Sequence, residues 1–248
     1  MPDECIHGFA AGLCDTCYPK PVPVVAAPTA TATTTRSRTA TASRTTTASR
    51  ADHKVGEQRI YHVTHIDNLP FIIDSDALLA GQSPAVDIST AENRAARRDT
   101  ELGAGVVADY VPFFLSPNAT VWAALRAQQA DARLSPEVRD LPAGEFVILV
   151  STVKVATTME VAVANGDAAN TFTRIATTAD ANDRALRSLR ADDDAILGAE
   201  LLVKGSFPFE QVSLVGVAND RARDAVKQVL QAAAHEPKVA VYPPWFGR

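Results

Sequence analysis

Gln58-Arg59-Ile60-Tyr61-His62-Val63-Thr64, continued by His65-Ile66-Asp67-Asn68-Leu69, is the stretch whose reading decides the fold. Its first seven residues are rich in β-branched and aromatic side chains and predict a strand, while Ile66, Leu69, Ile72 and Ile73 recur at helical spacing. The folded body therefore opens strand, then helix. Working outward, further strands are expected over Tyr110–Leu115, Glu145–Lys154, Ala199–Lys204, Gln211–Val217 and Val239–Tyr242. Helices are expected around Thr90–Arg98, Ala119–Ala130, Asp183–Leu189 and Ala218–Ala233. Strands and helices mix without regular alternation, which predicts an α+β domain and not a doubly wound sheet. No G-x-G-x-x-G or P-loop is present, and no internal repeat.

The chain has 248 residues, of which 46 % are hydrophobic, enough for a sizeable core. Its formal net charge of −5 excludes a uniformly basic nucleic-acid coat, though not a local basic groove. Residues 1–50 carry five Lys or Arg against three Asp or Glu, and the remainder 19 against 26. The organisation expected is a Cys/His segment at 1–20, a linker at 21–54 and one domain at 55–248. No run of eighteen apolar residues occurs, and Asp3 and Glu4 stand where a signal peptide would be basic, so the expectation is a cytoplasmic protein without a membrane partner.

All three cysteines, Cys5, Cys14 and Cys17, lie in the first seventeen residues beside His7. Cys5-x-His7 and Cys14-x-x-Cys17 supply four donors for a closed tetrahedral zinc site, with Gly8 and Gly12 letting the chain turn back. So small a segment has no core, and the metal would supply its folding free energy. The alternatives are a tail with incidental cysteines or a redox pair. From Thr29 to Arg50 the chain uses only Thr, Ala, Ser and Arg, too little apolar surface to repay ordering the backbone, so it reads as a tether.

Four features of the body can carry chemistry, each with a plainer explanation. His62 and Thr64 alternate along a strand and share a face; the plainer reading is a hydrogen-bonded core histidine. Arg94, Arg97 and Arg98 share a helix at i+3 and i+4 spacing, as a solvated face or as a phosphate or substrate clamp. Tyr110-Val-Pro-Phe-Phe-Leu115 is an aromatic run that stacks on a flat ring or packs in the core. Glu200, inside Ala199-Glu-Leu-Leu-Val203, is either a carboxylate with a raised pKa or an edge-strand residue facing water.

The order of these blocks, closing on Phe207-Pro208, Val241-Tyr242 and Trp245, resembles the DarT family of toxins over about residues 58–246. Those are NAD-dependent ADP-ribosyltransferases that modify bases of single-stranded DNA. The resemblance implies the ADP-ribosyltransferase α+β core, two sheets flanked by helices, with NAD as substrate in a cleft between them. By position, His62 and Thr64, with Val63 between them, look like the group that holds the nicotinamide amide and ribose. Asn68, Phe71, Leu79 and Phe114 look like its neighbours, although the family often has Tyr at Phe114. Glu200 looks like the catalytic glutamate. The catalytic arginine is Arg97 counted forward from Ile88, or Arg94 counted back from Asp109. The tail resembles a branch that modifies guanine instead of thymine.

The resemblance implies an enzyme that is the toxin of a toxin-antitoxin or phage-defence pair, with single-stranded DNA and a cognate antitoxin that reverses the mark as partners. The competing readings are a transferase acting on RNA or protein, and a non-catalytic nucleic-acid-binding module.

Overall fold

The structure, a computed structural model, describes residues 55–247. The Cys5, His7, Cys14 and Cys17 set and the expected linker lie outside them. In chain order the strands are β1 (Arg59–His65), β2 (Ala77–Leu79), β3 (Glu101–Leu102), β4 (Gly105–Val106), β5 (Tyr110–Phe114), β6 (Phe146–Thr152), β7 (Val161–Ala164), β8 (Ile175–Ala176), β9 (Glu200–Lys204), β10 (Ser206–Pro208), β11 (Leu214–Val217) and β12 (Lys238–Val241). The helices are α1 (Leu69–Asp74), α2 (Ala91–Asp99), α3 (Thr120–Arg126), α4 (Pro136–Arg139), α5 (Val153–Ala156), α6 (Ala179–Arg190), α7 (Ala195–Gly198) and α8 (Asp220–Leu230).

Most boundaries have a local cause. Thr90, Ser135, Thr152, Thr178 and Asn219 each accept a backbone N–H at the start of a helix, the preferred N-cap chemistry. Thr152 thereby ends β6 and starts α5, which stops the expected strand short of Lys154. The helix expected over Ala119–Ala130 ends at Arg126, where Gln128 takes a positive φ of 53°. Strand β7, Val-Ala-Val-Ala, is buried at all four residues and has no alternation to betray it.

Eight strands form one sheet in the order β12-β11-β6-β1-β5-β9-β7-β8, parallel at β11–β12 and antiparallel elsewhere. The two core sheets expected are thus joined into one, beside the two-stranded pairs β2–β10 and β3–β4, and the reason lies at its centre. β1 pairs with β6 at all seven of its residues but with β5 through Tyr61–Phe114 alone. One residue pair makes the two halves continuous, and beyond it they part.

Strand alternation sorts the core by face. Ile60, Val111, Phe113, Leu149 and Leu201 pack beneath Leu69 and Ile72 of α1, Leu186 and Leu189 of α6, and Val226 and Leu230 of α8. Tyr61, Val63, Ile148 and Val150 face the other way, onto Trp122 and Leu125 of α3 and onto Trp245 and Phe246. The buried Trp122 indole donates to the Trp245 carbonyl at 2.6 Å, which ties the C-terminus to α3 and satisfies the indole N–H. Among the described residues no helix is long and apolar enough to cross a membrane.

The six-membered ring of Trp245 also packs against the backbone of β11 at Gly216. A Cβ at Gly216 would meet its ring carbons at 2.7 and 2.8 Å, so the position has room for hydrogen only. Gly216→Ala is expected to lower unfolding stability by about 1–3 kcal/mol through overpacking, measured by urea denaturation. An unchanged midpoint would mean the ring does not sit there.

Candidate active site

The parting of β1 from β5 has a covalent cause. In a strand the N–H and C=O of one residue point to the same side, and the Pro112 carbonyl points at β1, where it accepts from His62 Nδ1 at 2.9 Å. Proline has no N–H to complete the ladder on that side, so an imidazole replaces the backbone partner. A carbonyl accepts only, which places the proton of the neutral ring on Nδ1 and leaves Nε2 as an acceptor. Burial lowers the His62 pKa, with the Pro112 bond opposing it, so the neutral ring is favoured.

A cavity of about 350 Å3 opens at the parting. Its walls include His62, Thr64 and Val111 from one face of the sheet and Val63, Pro112 and Phe114 from the other. Only a sheet that has split can offer both faces to one ligand. Phe71 and Leu79, two of the few exposed large apolar side chains, add an apolar rim. The segment Gly81–Ser89, for which the sequence offered no signal, forms a further wall. Buried Asn68 holds it there as a backbone mimic: its Nδ2 donates to the Val86 carbonyl at 2.9 Å and its Oδ1 accepts from Val86 N at 2.9 Å. The second Nδ2 proton goes to Thr64 Oγ1 at 3.0 Å. With its amide protons thus engaged, Asn68 shapes the cavity.

α2 carries Arg94, Arg97 and Arg98 to the same cavity, where the structure separates their situations. Arg94 is committed to the wall, donating to Asp87 Oδ2 at 2.7 Å and to the Ser89 carbonyl at 2.6 Å. Arg97 donates through Nη1 to Glu200 Oε2 at 3.1 Å and lies 3.9 Å from Asp167. Its Nη2 is buried and has no hydrogen-bond partner. Glu200 is not on an edge: β9 lies between β5 and β7, with Glu200 opposite Phe114 on one side and Ala164 on the other, and the residue is 5 % exposed. It stands behind Arg97 and does not itself line the cavity.

The electrostatics of this pair are lopsided. Burial raises the Glu200 pKa and outweighs Arg97, which lowers it; Asp167 adds to the rise and Arg133 opposes it. Arg133 is held in place by Asp131 through Nε at 2.9 Å and Nη2 at 2.7 Å. Neither Asp167 nor the Asp131–Arg133 pair carried a signal in the sequence, because all three lie in irregular segments without periodicity. His65 is structural: its Nδ1 accepts from Asp67 N at 3.2 Å, capping the turn that leads to α1, and its ring packs edge-on to Phe146. Among the described residues no cluster of His, Cys, Asp and Glu has the arrangement of a metal site.

Comparison with known proteins gives the family and the fold. Residues 61–247 match the family model described as DarT, ssDNA thymidine ADP-ribosyltransferase. A DNA ADP-ribosyl transferase of Thermus sp. (strain 2.9) is 27 % identical over 201 residues, covering 75 % of this chain and 95 % of the relative. The solved structure of Thermus sp. 2.9 DarT in complex with ADP-ribosylated ssDNA superposes with a TM-score of 0.64 at 22 % identity, covering 77 % of this chain and 97 % of that one. The same protein in complex with NAD+ gives 0.61, at 22 % identity over 77 % and 98 %.

A carboxyl whose folded pKa exceeds its unfolded value contributes stability at low pH that is lost as pH rises through the folded value, the reverse of a salt-bridged acid. Carboxyl NMR titration is expected to place Glu200 above the ordinary 4.5, with Asp167→Asn moving it down and Arg97→Gln moving it up. Titration at or below 4.5 would contradict the arrangement.

Proposed function

Because the chain belongs to the DarT family of ssDNA ADP-ribosyltransferases, we propose that NAD occupies the split between β1 and β5 and that Arg97 and Glu200 direct transfer of its ADP-ribose to a base of single-stranded DNA. The observation that carries the assignment of residues is the Arg97 guanidinium. Arg97 lines the cavity while one of its amino groups holds Glu200, and its other amino group is a buried donor without an acceptor. Buried polar groups in native proteins are rarely left unsatisfied, so an orphaned donor beside the Glu200 carboxylate marks a functional position over plain packing.

The chemistry needs little more than positioning and charge. The bond between the nicotinamide nitrogen and ribose C1 breaks with its electron pair leaving on neutral nicotinamide, through an oxocarbenium-like state that a nearby carboxylate stabilises. A nitrogen of the DNA base supplies the new pair to C1, and its proton passes by way of a water to the Glu200 carboxylate, which lies behind Arg97. The raised pKa of Glu200 makes it a better proton acceptor than an ordinary glutamate, and Arg97 holds it in place. His62, neutral and with Nε2 free to accept, and Thr64, whose hydroxyl proton is not used by Asn68, are the polar groups offered to the amide and ribose. Phe71, Leu79, Val63 and Phe114 enclose the flat ring. An unpaired base reaches such a cavity without the cost of breaking a duplex.

Arg97 is the arginine this reading selects, since Arg94 already spends its guanidinium on Asp87 and Ser89. The wider setting belongs to the same proposal: a cytoplasmic toxin whose cognate antitoxin reverses the mark. The Cys5, His7, Cys14 and Cys17 donors suit one structural zinc ion, to be lost in a Cys14→Ser/Cys17→Ser variant by metal analysis; metal content unchanged in that variant would refute it.

Labelled NAD is expected to transfer its ADP-ribose to single-stranded DNA in preference to duplex DNA, with nucleoside mass spectrometry deciding between thymine, which the family's description names, and guanine. Glu200→Ala should reduce transfer about 10²- to 10⁴-fold and Arg97→Ala about 10²- to 10³-fold, against a smaller loss for Arg94→Ala. Label on RNA or protein instead would move the acceptor, and no NAD turnover at all would leave a binding module.

A further inference from the structure

The helix that carries Arg97 is held without a hydrophobic face. No residue of α2 is buried, and none packs into the hydrophobic clusters of the fold. A short helix gains most of its stability from such packing, so α2 has to be fixed by its ends and its arginines. At the far end, Thr100 Oγ1 donates to the Ala96 carbonyl at 2.8 Å and the Thr100 carbonyl accepts from Val107 N at 2.9 Å. Buried Leu102 anchors the β3–β4 hairpin that follows. At the near end stands Thr90, which uses every hydrogen-bonding group it has. Its N–H donates to the Arg133 carbonyl at 3.0 Å and its carbonyl accepts from Arg94 N at 3.0 Å. Its hydroxyl accepts from Asn93 N at 3.1 Å and donates to the Ala132 carbonyl at 3.1 Å.

An N-cap hydroxyl has only to accept. The bond it donates ties the cap to a second segment, residues 131–135, and that segment is firmly seated. Ser135 N donates to the Ile88 carbonyl at 2.9 Å, and Ser89 and Leu134 form an antiparallel bridge. Leu134 is buried in the cluster of Trp122 and Val138, while Arg133 Nη2 reaches Thr120 Oγ1 of α3 at 3.3 Å. Residues 131–135 are thus a strap anchored in the core, and α2 hangs from it by Thr90. Arg94 and Arg97 lie one and two turns further along one face of the helix, Arg97 about 10 Å from the strap. At that distance a tilt of about 6° moves Arg97 by about 1 Å, which breaks its 3.1 Å bond to Glu200. Misplacement of that size at a reacting centre costs on the order of 10²-fold in rate.

We propose that Thr90 is a positioning residue for transfer, setting the approach of Arg97 to Glu200 through the bond its hydroxyl donates to the 131–135 strap. The inference rests on the transferase reading above and adds to it a residue that does not line the cavity. It also gives the strap a function beyond closing the connection between α3 and α4.

Three variants of the full chain separate this role from ordinary capping. Thr90→Val removes both hydroxyl bonds at nearly constant shape, Thr90→Asp keeps an acceptor for Asn93 N but cannot donate to Ala132, and Thr90→Ser keeps both. Transfer of labelled ADP-ribose to single-stranded DNA should fall about 10- to 100-fold in Thr90→Val and Thr90→Asp and stay within about twofold of the parent in Thr90→Ser. The loss should lie in kcat, with the KM for NAD changed less than about threefold. In an Arg97→Ala background Thr90→Val should cost less than about threefold, because the arginine it positions is gone. Parental activity in Thr90→Asp would reduce Thr90 to a helix cap and overturn the proposal, as would equal losses with and without Arg97. Carboxyl NMR of Thr90→Val should show Glu200 titrating higher than in the parent, since Arg97, which lowers it, is drawn away. If the parent transfers nothing, the transferase reading fails, and that titration still decides: an unshifted Glu200 would overturn the positioning role.

Discussion

Everything at the centre of this molecule follows from one missing backbone donor. Pro112 stands in a central strand, where a proline removes a rung of the ladder, and its N–H would have faced β1. Adjacent strands joined over their full length leave no space between them for a ligand, since they lie about 5 Å apart. Here one pair, Tyr61–Phe114, holds the halves together, and the next carbonyl is taken by an imidazole. The hydrogen bond to His62 therefore does two things at once. It satisfies a carbonyl that would otherwise face the cavity unpaired, and it fixes the tautomer of the ring that lines the cavity.

The second constraint is electrical. Four charged groups meet around Glu200, namely Arg97, Asp167, Arg133 and the carboxylate itself, and Asp131 anchors Arg133 from outside. Burying one carboxylate beside one arginine would favour a quiet ion pair, because the attraction lowers the acid's pKa. Burial together with Asp167 tips the balance the other way, so the Glu200 pKa is raised although Arg97 is its partner. A group with only structural duties gains nothing from such a balance, whereas a proton acceptor does.

The strands and helices with clear periodicity were legible in the sequence, and so was much of the site. β1 was readable from alternation, α2 from its spacing, and Glu200 from a carboxylate standing among apolar neighbours. Spacing did not separate Arg94 from Arg97, because both counts land on one helix face and only tertiary contacts commit Arg94 to Asp87. The single sheet was missed for a related reason. Whether two half-sheets join depends on one cross-strand pair, which no local pattern encodes. Pro112 was visible, but within Tyr-Val-Pro-Phe-Phe the aromatics drew the reading and the missing N–H did not. Asp167, Asp131 and the Gly81–Ser89 wall lie in irregular segments, where sequence offers turn chemistry and nothing about what the turn reaches.

The acidity of the body sharpens how a polyanion would be recognised. With 26 acidic residues against 19 basic ones after residue 50, the long-range field repels DNA, and loose sliding contacts along a duplex are disfavoured. Cations are concentrated where they matter: three arginines of α2 line the cavity and a fourth, Arg133, stands within electrostatic reach of Glu200. Such a distribution trades general affinity for local selection. A duplex presents phosphates on two strands to a repelling surface and hides its bases. A single strand can bend its phosphates toward a few arginines and offer base faces to stack, and those contacts are insensitive to the distant charge. On the proposed reading, discrimination against duplex DNA has two sources, the cost of unpairing at the split sheet and the field around it, and selectivity for single strands does not depend on the shape of the cavity alone.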